Sequence, residues 1–305
     1  MAAGPLAPWL SGFEPQALQA CLTFSLPALR TWFNATAQLR GLKTGNGLPL
    51  HLVAQTDLPS NCAYETYIAQ SGGLPTRDNL HDRFNALVWL HMPKLKAALN
   101  ALQAQEIERL GHRNNQRGAW RDWATLLDES GVLVLACQDE NSLLSAWREH
   151  DWQRLFWFFR ARWQLGDGHC AFRSDWQIAN EPAAVGVGSF PAWSAWPIGH
   201  ALLEKGERPY KALTGQALLL VMPTDGDVLT LGHDRLSSWS QIDTWATRAL
   251  SLKRHREPDT PERLWPLPIM GVPGWSADNQ ALGFYEDPTV FRPARAVAGM
   301  RASAD

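Results

Sequence analysis

An α+β fold, with mostly helical packing around short antiparallel β-hairpins, is what this 305-residue chain predicts. Three observations carry the expectation. Apolar residues recur at helical spacing in several windows, short alternating or wholly apolar runs stand between them, and Gly, Pro and Asn or Asp turn signals separate the two kinds of segment. Hydrophobic residues make up 45% of the chain and charged residues 19%, which is enough apolar material for one core. A single domain over residues 1–293 is expected, with 294–305 as a flexible tail.

Helices are predicted after Pro15 and after Pro27, the second closing at the Gly-rich segment GLKTGNG. Leu48, Leu50 and Leu52 then alternate on one face of a strand, and AYETYIAQ reads as a second strand paired with it through the DLPSN turn. After Gly72 and Gly73, Asn79 is placed as the N-cap of a helix reaching His91, with Asp82 favourable in its first turn and Leu80, Phe84, Leu87 and Val88 as its apolar stripe. Pro93 ends it. The next helix, from Lys94 to Leu110, carries Leu95, Leu99 and Leu102 on its stripe, and Glu106 takes the following stripe position. WATLLDESGVLVLAC is predicted as a β-hairpin turning at Asp128 to Gly131. NSLLSAWREH and DWQRLFWFFRARW return to helical spacing, 166–196 is irregular, and PIGHALLEKG is a short helix. Two strands, ALLLVMP and DVLTLGH, then a helix over SWSQIDTWATRALS and a Pro-rich extended end complete the chain.

Composition narrows the function classes. A formal net charge of -2 gives no general attraction to nucleic acid or to anionic membranes. The four cysteines, Cys21, Cys62, Cys137 and Cys170, lie far apart, without metal-finger or disulfide-framework spacing. The first fifteen residues lack a basic stretch followed by an apolar run, and no window approaches eighteen consecutive apolar residues, so a cytoplasmic chain without a membrane span is expected. Sixteen tryptophans against four tyrosines should line the core or a groove. Phosphate-binding glycine loops, the H-E-x-x-H zinc motif and the G-x-S-x-G serine motif are all missing.

The chemistry-bearing positions cluster around TRDNLHDRFNALVW. His81 sits at the margin of the apolar stripe of its helix, with Asn85 one turn on and Asp82 adjacent, a placement that half-buries an imidazole. It suits a general base or a metal ligand, and equally a packing histidine held by backbone or carboxylate. His200 and Glu204 are spaced to point the same way from one helix, able to chelate an ion or to let the carboxylate orient the imidazole, though a solvent-facing pair has the same spacing. Glu106 on an apolar stripe calls for a cation partner or a raised pKa, unless its turn drifts out of the core. Arg121, Asp122, Asp128 and Glu129 flank the expected hairpin, where charges most often make a loop ion pair and a turn. The candidate catalytic set is therefore His81, Asp82, Glu106 and His200; the candidate substrate contacts are Arg77, Asn85 and Arg121; and a divalent metal, if one binds, would take His81, His200 and Glu204.

Several longer segments, GGLPTRDNLHDRFNALVWLHMPKLKAALNALQAQEI, RGAWRDWATLLDESGVLV, DWQRLFWFFRARW, IGHALLEK and LPIMGVPGW with FYEDPTVFRP, together resemble the bacterial family called domain of unknown function 3025, over roughly residues 48–293. Two departures stand out: a long stretch between Arg162 and GHALLEK, and Trp120 with Trp123 where smaller residues are usual. The resemblance implies a bacterial cytoplasmic protein but brings no reaction with it. Two functions compete. One is a metal-assisted or acid/base hydrolase acting on a small-molecule or nucleic-acid substrate, with the strand-strand-helix order reminiscent of ββα-metal nucleases. The other is a non-catalytic ligand-binding or regulatory module whose charges form a structural buried network. Convergence of His81, His200, Glu204 and one of Glu106 or Glu65 in one pocket separates a shared site from scattered packing residues.

Overall fold

The structure, a computed structural model, describes residues 7–110, 118–137, 141–164, 193–222 and 235–294. Its fold is α+β and rich in helix. The helices are α1 (Pro15–Thr23), α2 (Leu26–Arg40), α3 (Tyr64–Ser71), α4 (Leu80–His91), α5 (Pro93–Leu110), α6 (Ala119–Ser130), α7 (Asn141–Arg148), α8 (His200–Lys205) and α9 (Arg235–Arg256). Strands β1 (His51–Ala54) and β2 (Gly73–Thr76) form a small parallel pair. A five-stranded mixed sheet runs in the order β4 (Trp163–Gln164), β5 (Trp193–Pro197), β3 (Gly131–Cys137), β6 (Thr214–Met222), β7 (Trp265–Pro268).

Strand β3 is central to that sheet, and its apolar run is buried from Gly131 to Ala136, as a strand covered on both faces requires. It pairs antiparallel with β5, Leu133 opposite Trp196, and parallel with β6. Helix α4 is equally central: every residue from Asp82 to His91 is buried. Its start is fixed by Asn79, whose side-chain oxygen accepts the Asp82 N–H at 2.8 Å. Asp82 in turn takes three hydrogen bonds from Arg77, one from its backbone and two from its guanidinium. Pro93 opens α5, and the free N–H groups there are capped from α9, where the Asp243 carboxylate accepts from Lys94 at 2.9 Å and Leu95 at 2.7 Å.

Two of the sequence expectations are corrected. AYETYIAQ is helix α3, not a strand, and β1 pairs in parallel with β2, so the hairpin expected between LPLHLVAQ and AYETYIAQ does not form. Its β-favouring Tyr and Ile are outweighed by burial of Ile68 and Ala69 on one helical face, and Gly72 at φ 76° gives the helix a left-handed stop. The topological likeness to ββα-metal nucleases goes with the hairpin. WATLLDESGVLVLAC is likewise half helix, because Trp120, Trp123, Ala124 and Leu127 follow helical spacing into the core before the chain enters β3. The strand expected at DVLTLGH and the tail beyond Ala294 lie outside the described residues. Most tryptophans, among them Trp89, Trp147, Trp193, Trp196 and Trp239, are buried in the core.

Candidate metal centre

The site is assembled where three elements end. His81 is the second residue of α4, Glu129 stands one residue from the end of α6, and His200 opens α8. Two glycines bring the last two together. The carbonyl of Gly131 accepts N–H groups from both Ile198 and Gly199 at 2.9 Å. A Cβ on Gly199 would fall 2.4 Å from the Gly131 nitrogen and 2.6 Å from the Glu129 carbonyl, so only glycine allows this approach. The end of α6 is thereby pressed against the start of α8.

The consequence is a tight cluster. His200 Nε2 lies 3.0 Å from His81 Nε2, and the rings meet edge to face with centroids 4.4 Å apart. Glu129 Oε2 is 3.5 Å from His200 Nε2 and 3.9 Å from His81 Nε2. These three residues form a group of ligand-type side chains whose atoms could share one ion. The opposite nitrogen of each ring faces a further carboxylate. His81 Nδ1 is 3.2 Å from Glu204 Oε2, whereas the buried His200 Nδ1, which makes no hydrogen bond, is 3.9 Å from Asp128 Oδ2. The other oxygen of Asp128 accepts a short hydrogen bond from the buried Lys96 ammonium.

Electrostatics follow burial. Desolvation lowers the His200 pKa to about 4, with Asp128 pulling it up and Lys96 and His81 reinforcing the drop, so the ring is neutral at ordinary pH. Burial raises Asp128, but Lys96 and then His200 outweigh it and hold the carboxyl below its usual range. Glu129 is pushed up by burial despite His81. His81 and Glu129 keep about a third of their side chains exposed, 29% and 40%, while His200 keeps 5%, so the cluster opens to solvent on the His81 and Glu129 side.

The remaining sequence candidates fall elsewhere. Glu204 joins the cluster on the far nitrogen of His81, outside the set of three converging atoms. Glu129, a turn residue by its sequence, is inside it; recognising that needs the helical period of α6. Asp82 and Arg77 bind each other and shape the approach to α4. Asn85 is buried beside Tyr64, its amide nitrogen 3.1 Å from the phenol oxygen. Glu106 is buried too, but it pairs with Arg109 at 2.8 Å and lies against Gly118 rather than near the histidines. Arg121, on α6, opposes the burial and Asp128 charge that raise the Glu65 pKa to about 7. Arg83, not singled out by its sequence position, ties α4 to Asp78 and to the Cys21 and Phe24 carbonyls.

The described residues form a helix-rich α+β architecture in which two histidines and a carboxylate converge at three element ends. The family model described as Protein of unknown function (DUF3025) matches residues 50–173 and 189–295, and the chain belongs to that family. No curated protein and no solved structure matches it. Among the described residues no helix is long and apolar enough to cross a membrane.

Proposed function

We propose that the chain is a metal-dependent hydrolase whose ion is held by His81 Nε2, His200 Nε2 and a carboxylate oxygen of Glu129. The observation that carries this reading is the convergence of the two Nε2 atoms and a Glu129 carboxylate oxygen, all within 3.9 Å of one another. The Glu204 carboxylate, 3.2 Å from His81 Nδ1, favours the N–H tautomer at that nitrogen and leaves His81 Nε2 as an acceptor. The two Nε2 atoms are 3.0 Å apart, a hydrogen bond when one ring carries its proton there, with the Glu129 carboxylate beside them, and an ion would take the place of that proton. With both Nε2 atoms unprotonated the three atoms are all electron-rich, and a cation between them would make each contact attractive. The edges of the triangle, 3.0, 3.5 and 3.9 Å, place a point about 2.0 Å from all three atoms, which is the bond length of zinc to nitrogen or oxygen ligands.

Two histidines and one glutamate on zinc leave a coordination position for water, the arrangement of catalytic rather than structural sites. An ion there supplies an acidified water and polarises a carbonyl or similar acceptor. Glu204 orients His81, and the partly exposed Glu129 and Glu204 make the rim acidic. That rim and the net charge of -2 favour a neutral or cationic substrate over a nucleic acid.

Elemental analysis of protein purified without chelator tests the reading, with melting curves recorded with and without added zinc. The expected result is about one ion per chain, a higher melting temperature with zinc, and loss of both in His200→Ala. Chelator-sensitive turnover of chromogenic esters or amides, restored by zinc, completes the case. A chain that takes up no divalent metal and melts unchanged would leave the polar cluster as a structural network and end the hydrolase proposal.

A further inference from the structure

Beside the histidine cluster lies a second polar feature that shares with it the Asp128 and Lys96 pair. Helices α3, α4, α5 and α6 enclose a small chamber, with room for about one water molecule, lined by Glu65, Asn85, Lys96, Asn100, Gln103 and Asp128 among others. Polar residues this deep need partners, and two do not have enough. The side-chain oxygens of Asn85 and Asn100 are buried and make no hydrogen bond, although the residues are 5% and 2% exposed. Asn100 cannot be turned around, because its amide nitrogen donates to two oxygens of Glu65, the backbone carbonyl at 2.9 Å and the carboxyl at 2.7 Å. Exchanging the amide ends of Asn85 leaves an unpartnered nitrogen in place of the oxygen. The chamber therefore presents at least one free acceptor, beside an ammonium and a carboxyl group.

We propose that this chamber binds one small hydrogen-bond donor, a water molecule, on the free oxygens of Asn85 and Asn100, and that Glu65 takes up and releases a proton beside it. A water has the matching inventory: two O–H donors for the two amide oxygens and two lone pairs for the Lys96 ammonium and the carboxylic acid of Glu65. Proton exchange balances without a redox partner. The O–H bond of the acid breaks, its proton passes through the water to the bulk, and the carboxylate left behind is held by the Asn100 amide and Lys96. The charged and titratable groups facing Glu65 are Lys96 from α5, Asp128 and Arg121 from α6, and Tyr64 from its own helix. Burial and then Asp128 push Glu65 up to about 7, against Asn100, Lys96 and Arg121, which places the exchange near neutral pH. The inference stands whether or not the histidine cluster holds an ion.

Infrared difference spectra of the full-length chain between about pH 5 and pH 9 test it, since that span brackets the exchange. The expected result is a carboxylic acid carbonyl band that titrates near neutral pH and is missing from Glu65→Gln. A water O–H band that shifts in oxygen-18 water should change in the same spectra and be lost from Asn85→Leu. Absence of the acid band, or its survival in Glu65→Gln, overturns the proton assignment. Absence of an isotope-sensitive water band in the wild-type chain overturns the ligand assignment, and that measurement decides even where Asn85→Leu does not fold.

Discussion

Gly131 and Gly199 meet backbone to backbone, and that contact sets the distance between Glu129 and His200. The Gly131 carbonyl accepts from Ile198 and Gly199, and a side chain on Gly199 would collide with the Gly131 nitrogen and the Glu129 carbonyl. Gly199→Ala must push α8 away from the end of α6. Stability should fall by about 1–3 kcal/mol in urea unfolding, the usual cost of overpacking, and stabilisation by zinc should disappear. Full zinc stabilisation in Gly199→Ala would mean that the three ligand atoms do not depend on this junction.

Glu204→Gln tests the orienting role of the carboxylate on His81 Nδ1. Removing such a partner costs about 10–100-fold in metal affinity in other centres, and a loss in that range is expected here by competition with a coloured chelator. Protein stability without metal should change little, because Glu204 is 43% exposed. Equal metal affinity in wild type and Glu204→Gln would remove Glu204 from the centre.

His91 gives a pH dependence. Its Nε2 accepts the Glu14 N–H at 3.0 Å and its Nδ1 donates to the Leu87 carbonyl at 2.9 Å, so both nitrogens are committed in the neutral form. Burial lowers its pKa to about 4 from 6.5. The folded state then binds fewer protons than the unfolded state, so this contribution is complete above pH 6.5 and is lost as the pH falls toward 4, by about 3 kcal/mol in all. Glu65 and Asp243, whose pKa values are raised to about 7 and about 6, act in the opposite sense, so the comparison must be with His91→Gln. Denaturant unfolding at several pH values should show wild type losing stability relative to His91→Gln across that window. Parallel curves would contradict the assignment.

Asp243→Ala strips the start of α5 of both its acceptors. A loss of about 2 kcal/mol is expected from one buried and one part-buried N–H group left without partners, read as a lower urea midpoint. Asp243→Asn keeps one acceptor oxygen and should fall between. A neutral Asp243→Ala would show that water reaches the N–H groups.

The residues legible in the sequence are those governed by local rules. Asn79 announces the cap of α4, the apolar period places His81 at its margin, and the four-residue spacing of His200 and Glu204 puts both within reach of one imidazole. Glu129 is hidden because Asp-Glu-Ser-Gly resembles a turn and the helical period of Trp120, Trp123 and Leu127 passes for a hairpin approach. Helix α3 is hidden for the reverse reason, β-favouring side chains in a segment that burial holds as helix. Asp243 and Lys96 have no role that local rules could assign, since their partners Leu95 and Asp128 stand far from them in the chain.

Strand β5 ends at Pro197, opposite Val132 of β3, and α8 begins three residues later. The position of His200 is thus an extension of the sheet register. A slip of one residue between β3 and β5 would move the ring by about 3.3 Å, more than the whole tolerance of a metal–ligand bond. The large buried pair Leu133 and Trp196, each four residues along the chain from Glu129 and His200 respectively, acts as the ruler that sets their spacing. Enlarging or emptying that pair would be felt as altered metal affinity in a protein whose ligands are all intact.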